Sequence, residues 1–182
     1  MNEQSFKNHF LIAMPSLTDD SFFKECVIFL CEHDHEGALG IMINKTLNVK
    51  LNSVLEQMDM KSSAPYAKQW VFMGGPVGQE HGFVIHTPYR EDEAQDDLVI
   101  SASRETLSDI ANNTGPTDYL IALGYTGWSP GQLESEISQN DWLLAPYSKN
   151  ILFDTPPKMR WQHAIKLLGF SHTQLSTQEG HA

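Results

Sequence analysis

Val27-Ile28-Phe29-Leu30-Cys31-Glu32-His33-Asp34-His35-Glu36-Gly37-Ala38-Leu39-Gly40-Ile41-Met42-Ile43-Asn44 is the stretch on which the fold turns. Two apolar runs, Val27–Cys31 and Leu39–Asn44, flank the polar segment Glu32 to Gly37. Short apolar runs bounded by turn residues read as strands, and a brief polar connection between two of them reads as a hairpin. Cys26 and Cys31 lie five residues apart along this strand. That odd offset sends their side chains to opposite faces, about 16 Å apart along the chain. A disulfide needs Cα atoms within about 7 Å, so two unpaired thiols of a reducing cytoplasm are expected.

Outward from the hairpin the pattern continues. Phe10–Met14 is a predicted strand ended by Pro15, too short for a signal-peptide core or a membrane span. Leu51, Val54, Leu55 and Met58 recur at helical spacing, and Ser62 to Lys68 reads as a loop. Trp70–Met73 is predicted as a strand broken by Gly74-Gly75-Pro76, followed by strands at Gly82–His86 and Leu98–Ala102. Ser103 is the expected N-cap of a helix that buries Leu107, Ile110 and Ala111 and stops at Asn112-Asn113-Thr114-Gly115. Tyr119–Tyr125, the longest apolar run of the later chain, is the expected central strand. In the last helix Thr155 is the expected N-cap, Pro156 the first residue and Gly169 the left-handed stop, with Trp161, Ile165 and Leu168 as the buried stripe. The expected fold class is therefore α+β: a single compact domain with a large mixed, mainly antiparallel sheet flanked by three or four helices. Residues 1–9 form an N-terminal segment, 10–170 the domain and 171–182 a polar tail.

The formal net charge is −11, from 12 Lys and Arg against 23 Asp and Glu, with no basic cluster. Such a balance repels phosphate backbones and anionic lipid, which argues against nucleic-acid and membrane partners. The acidic run Glu91, Asp92, Glu93, Asp96 and Asp97 lacks the alternating register of a calcium loop and reads as a solvated connection.

Three motifs invite a chemical reading. Gly127-Trp128-Ser129-Pro130-Gly131 matches the nucleophile-elbow pattern G-x-S-x-G. An elbow serine takes an oxyanion donor from the next backbone amide, however, and Pro130 has none. Ser129 is instead expected to cap a helix, with Pro130 in its first position and Gln132 closing a capping box, so that Leu133 and Ile137 face the core. The second motif, Glu32-His33-Asp34-His35-Glu36, joined by His86, could supply an acid/base pair or metal ligands. It lacks the spacing of a zinc helix or of paired Cys-x-x-Cys. The third, Gly74-Gly75-Pro76-Val77-Gly78, allows close backbone approach but matches no phosphate loop, so a bulge or tight turn is the expected role.

The combination of strings resembles the YqgE/AlgH family of bacterial proteins, also called UPF0301 or DUF179. Phe10-Leu11-Ile12-Ala13-Met14-Pro15, Cys31-Glu32-His33 and Gly37 to Lys45 carry the resemblance through the hairpin. Gly74-Gly75-Pro76, Gly82 to His86 and Ala122-Leu123-Gly124-Tyr125 continue it. Gly127-Trp128, Gly131-Gln132-Leu133-Glu134, Glu136-Ile137 and Ile151-Leu152-Phe153 complete it. The resemblance implies a compact α+β domain of the bacterial cytoplasm with no established activity, no catalytic residues to carry over and a family name tied to regulation of alginate production. The leading expectation is a non-catalytic regulatory or binding domain for an unidentified protein or small molecule, with no cofactor, no metal and no catalytic residue. His33, Asn44, Gly74, Gly75 and His86 are the candidate ligand-binding positions, because polar groups there end apolar strands. The alternative is a hydrolase using Glu32, His33 or His86 as acid/base or metal ligands, which requires those groups to converge within about 3 Å of a common point.

Overall fold

A computed structural model describes residues 5–19, 22–62, 69–95 and 97–169. The strands are β1 (His9–Ala13), β2 (Val27–Asp34), β3 (Gly37–Met42), β4 (Thr46–Lys50), β5 (Trp70–Met73), β6 (Val77–His86), β7 (Val99–Ser101), β8 (Tyr119–Trp128) and β9 (Trp142–Pro146). The helices are α1 (Leu51–Gln57), α2 (Arg104–Ala111), α3 (Gln132–Ser138) and α4 (Pro157–Leu167). The nine strands form one sheet in the order β4-β5-β8-β3-β2-β1-β9, and β6 joins it by pairing with β8 and β7. All pairs are antiparallel except β5 with β8. The expected α+β class with a mixed, mainly antiparallel sheet holds, and β8 is its centre, pairing with β5, β6 and β3.

Alternate residues of β1, β2 and β3 enter different cores. Phe10, Ile12, Val27, Phe29, Cys31 and Ile41 pack with Trp161 and Ile165 of α4. Leu11, Ala13, Ile28, Leu30 and Met42 pack with Trp128, Leu133 and Trp142 on the other face. Burial on both faces is why these strands read as unbroken apolar runs and not as alternating ones. Cys26 and Cys31 fall in different cores, as their spacing required, and both are buried and outside any disulfide. A third core joins α1 and α2 to Val71, Val84 and Ile121.

One junction positions the rest. β8 pairs with β6 and β5 through its first half and with β3 through Thr126, Gly127 and Trp128. There the amide of Gly74 donates to the Leu123 carbonyl and its carbonyl accepts from Met42, both at 2.8 Å. A Cβ on Gly74 would overlap the Gly124 carbonyl, and one on Gly75 the backbone of Tyr125. Gly124 in turn adopts a positive φ of 79°, where a Cβ would meet the Gly75 carbonyl. The glycine pair serves close backbone approach, as its sequence suggested.

Several local expectations need correction. Ser129 does not cap α3: the helix begins at Gln132, Gly131 precedes it at φ 74° and ψ −5°, and no side chain caps its N-terminus. Gln132 N–H donates to the Ser129 carbonyl at 3.0 Å, so Ser-Pro-Gly-Gln is a type II turn with Pro and Gly in the positions that this turn favours. Only the backward half of the capping box survives, the Ser129 amide donating to Gln132 Oε1 at 3.0 Å. Thr155 likewise is not the cap of α4, which starts at Pro157. Its hydroxyl donates to the Asn150 carbonyl at 3.1 Å, closing a π-helical turn over Asn150–Asp154. Ser103, by contrast, caps α2, accepting from the Thr106 amide at 3.1 Å. The hairpin strands run further than expected, leaving only His35 and Glu36 as the turn. β4 and β9 were not anticipated. The loop expected at 62–68 falls mostly, and the tail at 171–182 wholly, outside the described residues.

Gly75→Ala is expected to lower stability by about 3 kcal/mol, because backbone must move to admit the methyl group. Gly131→Ala, whose Cβ meets nothing within 4 Å, should cost only the left-handed strain of about 1 kcal/mol. Ser129→Ala should stay within about 0.5 kcal/mol of the parent. Urea unfolding of the three variants checks this order.

Candidate functional site

His33 sits near the tip of β2, opposite Ala38 of β3. Both of its ring nitrogens are engaged. The Phe6 amide donates to Nδ1 at 3.0 Å, and Nε2 lies 2.9 Å from Glu134 Oε1. An acceptor Nδ1 places the ring proton on Nε2, which therefore donates to the carboxylate. The Phe6 ring stacks on the imidazole with centroids 4.7 Å apart, and the Ser5 hydroxyl donates to the His33 carbonyl at 2.9 Å. The segment before β1 is thus pinned to the hairpin through one histidine.

Glu134 reaches this point because the Pro130-Gly131 turn swings α3 back beside the hairpin after β8 ends. The fit of α3 is then fixed by Glu136. Its Oε2 accepts from the indole N–H groups of Trp128 at 2.8 Å and Trp142 at 2.9 Å, and its Oε1 from Gln132 at 2.9 Å. Between the hairpin tip, the N-terminal segment and α3 opens a cleft of about 620 Å³, lined by Phe6, His33, Asp34, His35 and Glu134.

The other candidate positions do not join it. His86 is fully buried at the far end of β6, its Nδ1 donating to the Thr87 carbonyl at 2.9 Å and its ring edge-on to Tyr89. His86 pairs with Tyr119 at the start of β8, whereas Ala38, the partner of His33, pairs with Trp128 at its end. Nine strand residues separate the two, about 30 Å along β8. Asn44 is a backbone clamp, its Oδ1 accepting from Val27 N–H and its Nδ2 donating to the Glu25 carbonyl, both at 2.8 Å. Gly74 spends its amide and carbonyl groups at the sheet junction, and both Gly74 and Gly75 spend their empty side-chain space there. Glu32 is exposed. No cluster of three His, Cys, Asp or Glu able to hold a metal occurs among the described residues.

The thiols are sequestered. Burial, reinforced by the nearby Glu32 carboxylate, pushes the Cys31 thiol far above its ordinary range, and its Sγ–H donates to the Phe29 carbonyl. Glu134 is the site residue that the sequence left unremarked. It lay within the Gly131-Gln132-Leu133-Glu134 string, but its partner is 101 residues away. Since the thiolate is the reactive form, native protein should react with less than a tenth of a thiol equivalent of Ellman's reagent on a timescale of minutes. Both cysteines should become reactive together on unfolding in guanidinium.

Comparison with known proteins agrees with this architecture. The family described as AlgH-like, DUF179, matches residues 10–173. A UPF0301 protein of Coxiella burnetii (strain Dugway 5J108-111) is 51% identical over 177 residues, covering 96% of each chain. One from Shewanella oneidensis is 50% identical over 187 residues, covering 98% of this chain and all of the relative. The solution structure of the AlgH protein from Pseudomonas aeruginosa superposes with a TM-score of 0.78 at 39% identity over the full length of both chains. A crystal structure of a Corynebacterium diphtheriae protein, at 23% identity and a TM-score of 0.71 over 91% of this chain and 87% of that one, shares the fold. With the family matched over nearly the whole domain and half the residues identical to its members, the chain belongs to the AlgH-like family, DUF179 or UPF0301.

Proposed function

We propose that this chain is a non-catalytic regulatory or binding domain of the bacterial cytoplasm that recognises a partner in the cleft between the β2–β3 turn, the N-terminal segment and α3. The double engagement of His33 is the observation that carries this reading. A general base needs a ring nitrogen within reach of the substrate proton. Here Nδ1 is filled by the Phe6 amide and Nε2 by Glu134. A carboxylate-oriented imidazole is half of a hydrolytic triad, but its working nitrogen faces backbone and not a nucleophile. The exposed polar residues that line the cleft, Asp34, His35 and Glu134, suit hydrogen-bonded recognition of a polar partner.

The regulatory sense comes from the family resemblance and is proposed on that basis. No helix among the described residues is long and apolar enough to cross a membrane. A cytoplasmic setting fits two buried thiols that form no disulfide.

Affinity capture from the source cells, with the wild-type chain and with His35→Trp as parallel baits, tests the cleft. His35 is an exposed turn residue, so the indole should fill the cleft without disturbing the sheet. A partner or small molecule retained by the wild type and lost by the variant is the expected result. Identical recoveries would remove the cleft as a recognition surface. Release of p-nitrophenol from its acetate ester at a rate that falls more than tenfold in His33→Ala would restore the hydrolase reading.

A further inference from the structure

Arg160, on the first turn of α4, has 4% of its surface exposed. Its Nε donates to the Thr155 carbonyl at 2.9 Å and its Nη1 to the Ile43 carbonyl, and the guanidinium lies over the Phe72 ring with its carbon 4.9 Å from the centroid. All three partners are uncharged. Two less buried cations do meet carboxylates, Arg90 with Asp109 at 2.7 Å and Lys149 with Asp118 at 2.9 Å, whereas Arg104 donates to the Met58 carbonyl. In a chain with 23 acidic residues, the most deeply buried cation is paired with no carboxylate among the described residues.

A buried charge is ordinarily matched by an opposite one, because desolvation penalises it and neutral acceptors recover only part of its hydration. Burial alone lowers the Arg160 pKa to about 10, with no charged neighbour among the causes. Of the five guanidinium N–H groups two are spent. The three left are on Nη1 and Nη2, and a guanidinium edge can present two parallel donors to a planar two-oxygen anion.

Arg160 lines a cavity of about 210 Å³. Its lining is mainly apolar, with Phe72, Leu120, Leu152, Phe153 and Trp70, and Gln69 and Tyr119 add polar groups. Trp70 is 44% exposed and carries the Lys50 ammonium 3.3 Å above its ring, so a second cation stands at that side of the cavity. At about 30 Å³ per water, the space equals about seven water molecules and admits a ligand of about seven to ten non-hydrogen atoms.

The geometry points to a binding site for a small monocarboxylate with an aromatic or branched apolar body, its carboxylate on the free edge of Arg160 and its body against Phe72, Leu120, Leu152 and Phe153. The planar guanidinium matches a flat anionic head, and the mainly apolar lining favours an organic body over a bare hydrated ion. The site deepens the reading of the chain as a binding domain, but it shares no residue with the hairpin cleft.

Titration calorimetry of the full chain with sodium benzoate, against benzamide and inorganic phosphate at constant ionic strength, tests the assignment. Benzoate is expected to bind saturably, at least tenfold more tightly than benzamide, and to raise Tm. Arg160→Lys should weaken benzoate at least tenfold. Should that variant fail to fold, Trp70→Ala removes one side of the cavity from a half-exposed position and should weaken benzoate at least threefold. Equal binding of benzoate and benzamide, preference for phosphate, benzoate affinity unchanged in Trp70→Ala, or no benzoate binding would each overturn the proposal. Such a failure would leave the hairpin cleft untouched, since that reading stands or falls on capture by the His35→Trp pair of baits.

Discussion

The structure depends on the approach of bare backbone at Gly74, Gly75 and Gly124. A β-strand can accept partners along its whole length only where neighbouring chains reach hydrogen-bonding distance, and here three segments converge on one stretch of β8. Gly74 bonds to Leu123 and to Met42, while the space in which Cβ atoms would stand on these glycines holds carbonyl groups instead. The parallel β5, the antiparallel β6 and the hairpin strand β3 therefore share β8 as a single sheet. Without that junction the hairpin would lose the strand that holds its free edge.

Around the junction, polar side chains act mainly as fasteners for backbone. Asn44 ties the exit of β3 to the start of β2. Glu136 gathers two indoles and a glutamine and seats α3. Arg160 ties α4 to the Ile43 carbonyl one residue beyond the same hairpin strand. Many residues that carry the family resemblance serve this framework. His33 differs in that its fastening partners, Phe6 and Glu134, line an open cleft. Arg160 differs in that its charge, unlike its hydrogen bonds, has no counterpart among the described residues.

The strands of the hairpin, the central run at Tyr119 and the stripe of α4 were legible because periodicity and apolar run length are local quantities. The edges were not. Thr46 to Lys50 alternates weakly and has no fully buried residue, so its strand character comes from pairing with β5 and not from its own composition. Ser129 and Thr155 misled for a related reason. A serine before Pro-Gly serves a cap or a type II turn equally well, and the choice lies in the backbone angles of Gly131. The threonine hydroxyl was drawn off by a π-turn carbonyl upstream.

From its amino acids alone this chain declared its α+β class, its burying faces, its opposed cysteines and the structural purpose of Gly74 and Gly75. Each of these follows from residue type and spacing over a few positions. The tertiary structure decided which polar groups meet: His33 with Glu134 across 101 residues, Arg160 with Ile43 across 117, and His86 apart from His33 at the opposite end of β8. Side-chain partnership at such separations is set by strand order and register, which arise from the packing of the whole sheet and leave no trace in the spacing of the residues themselves.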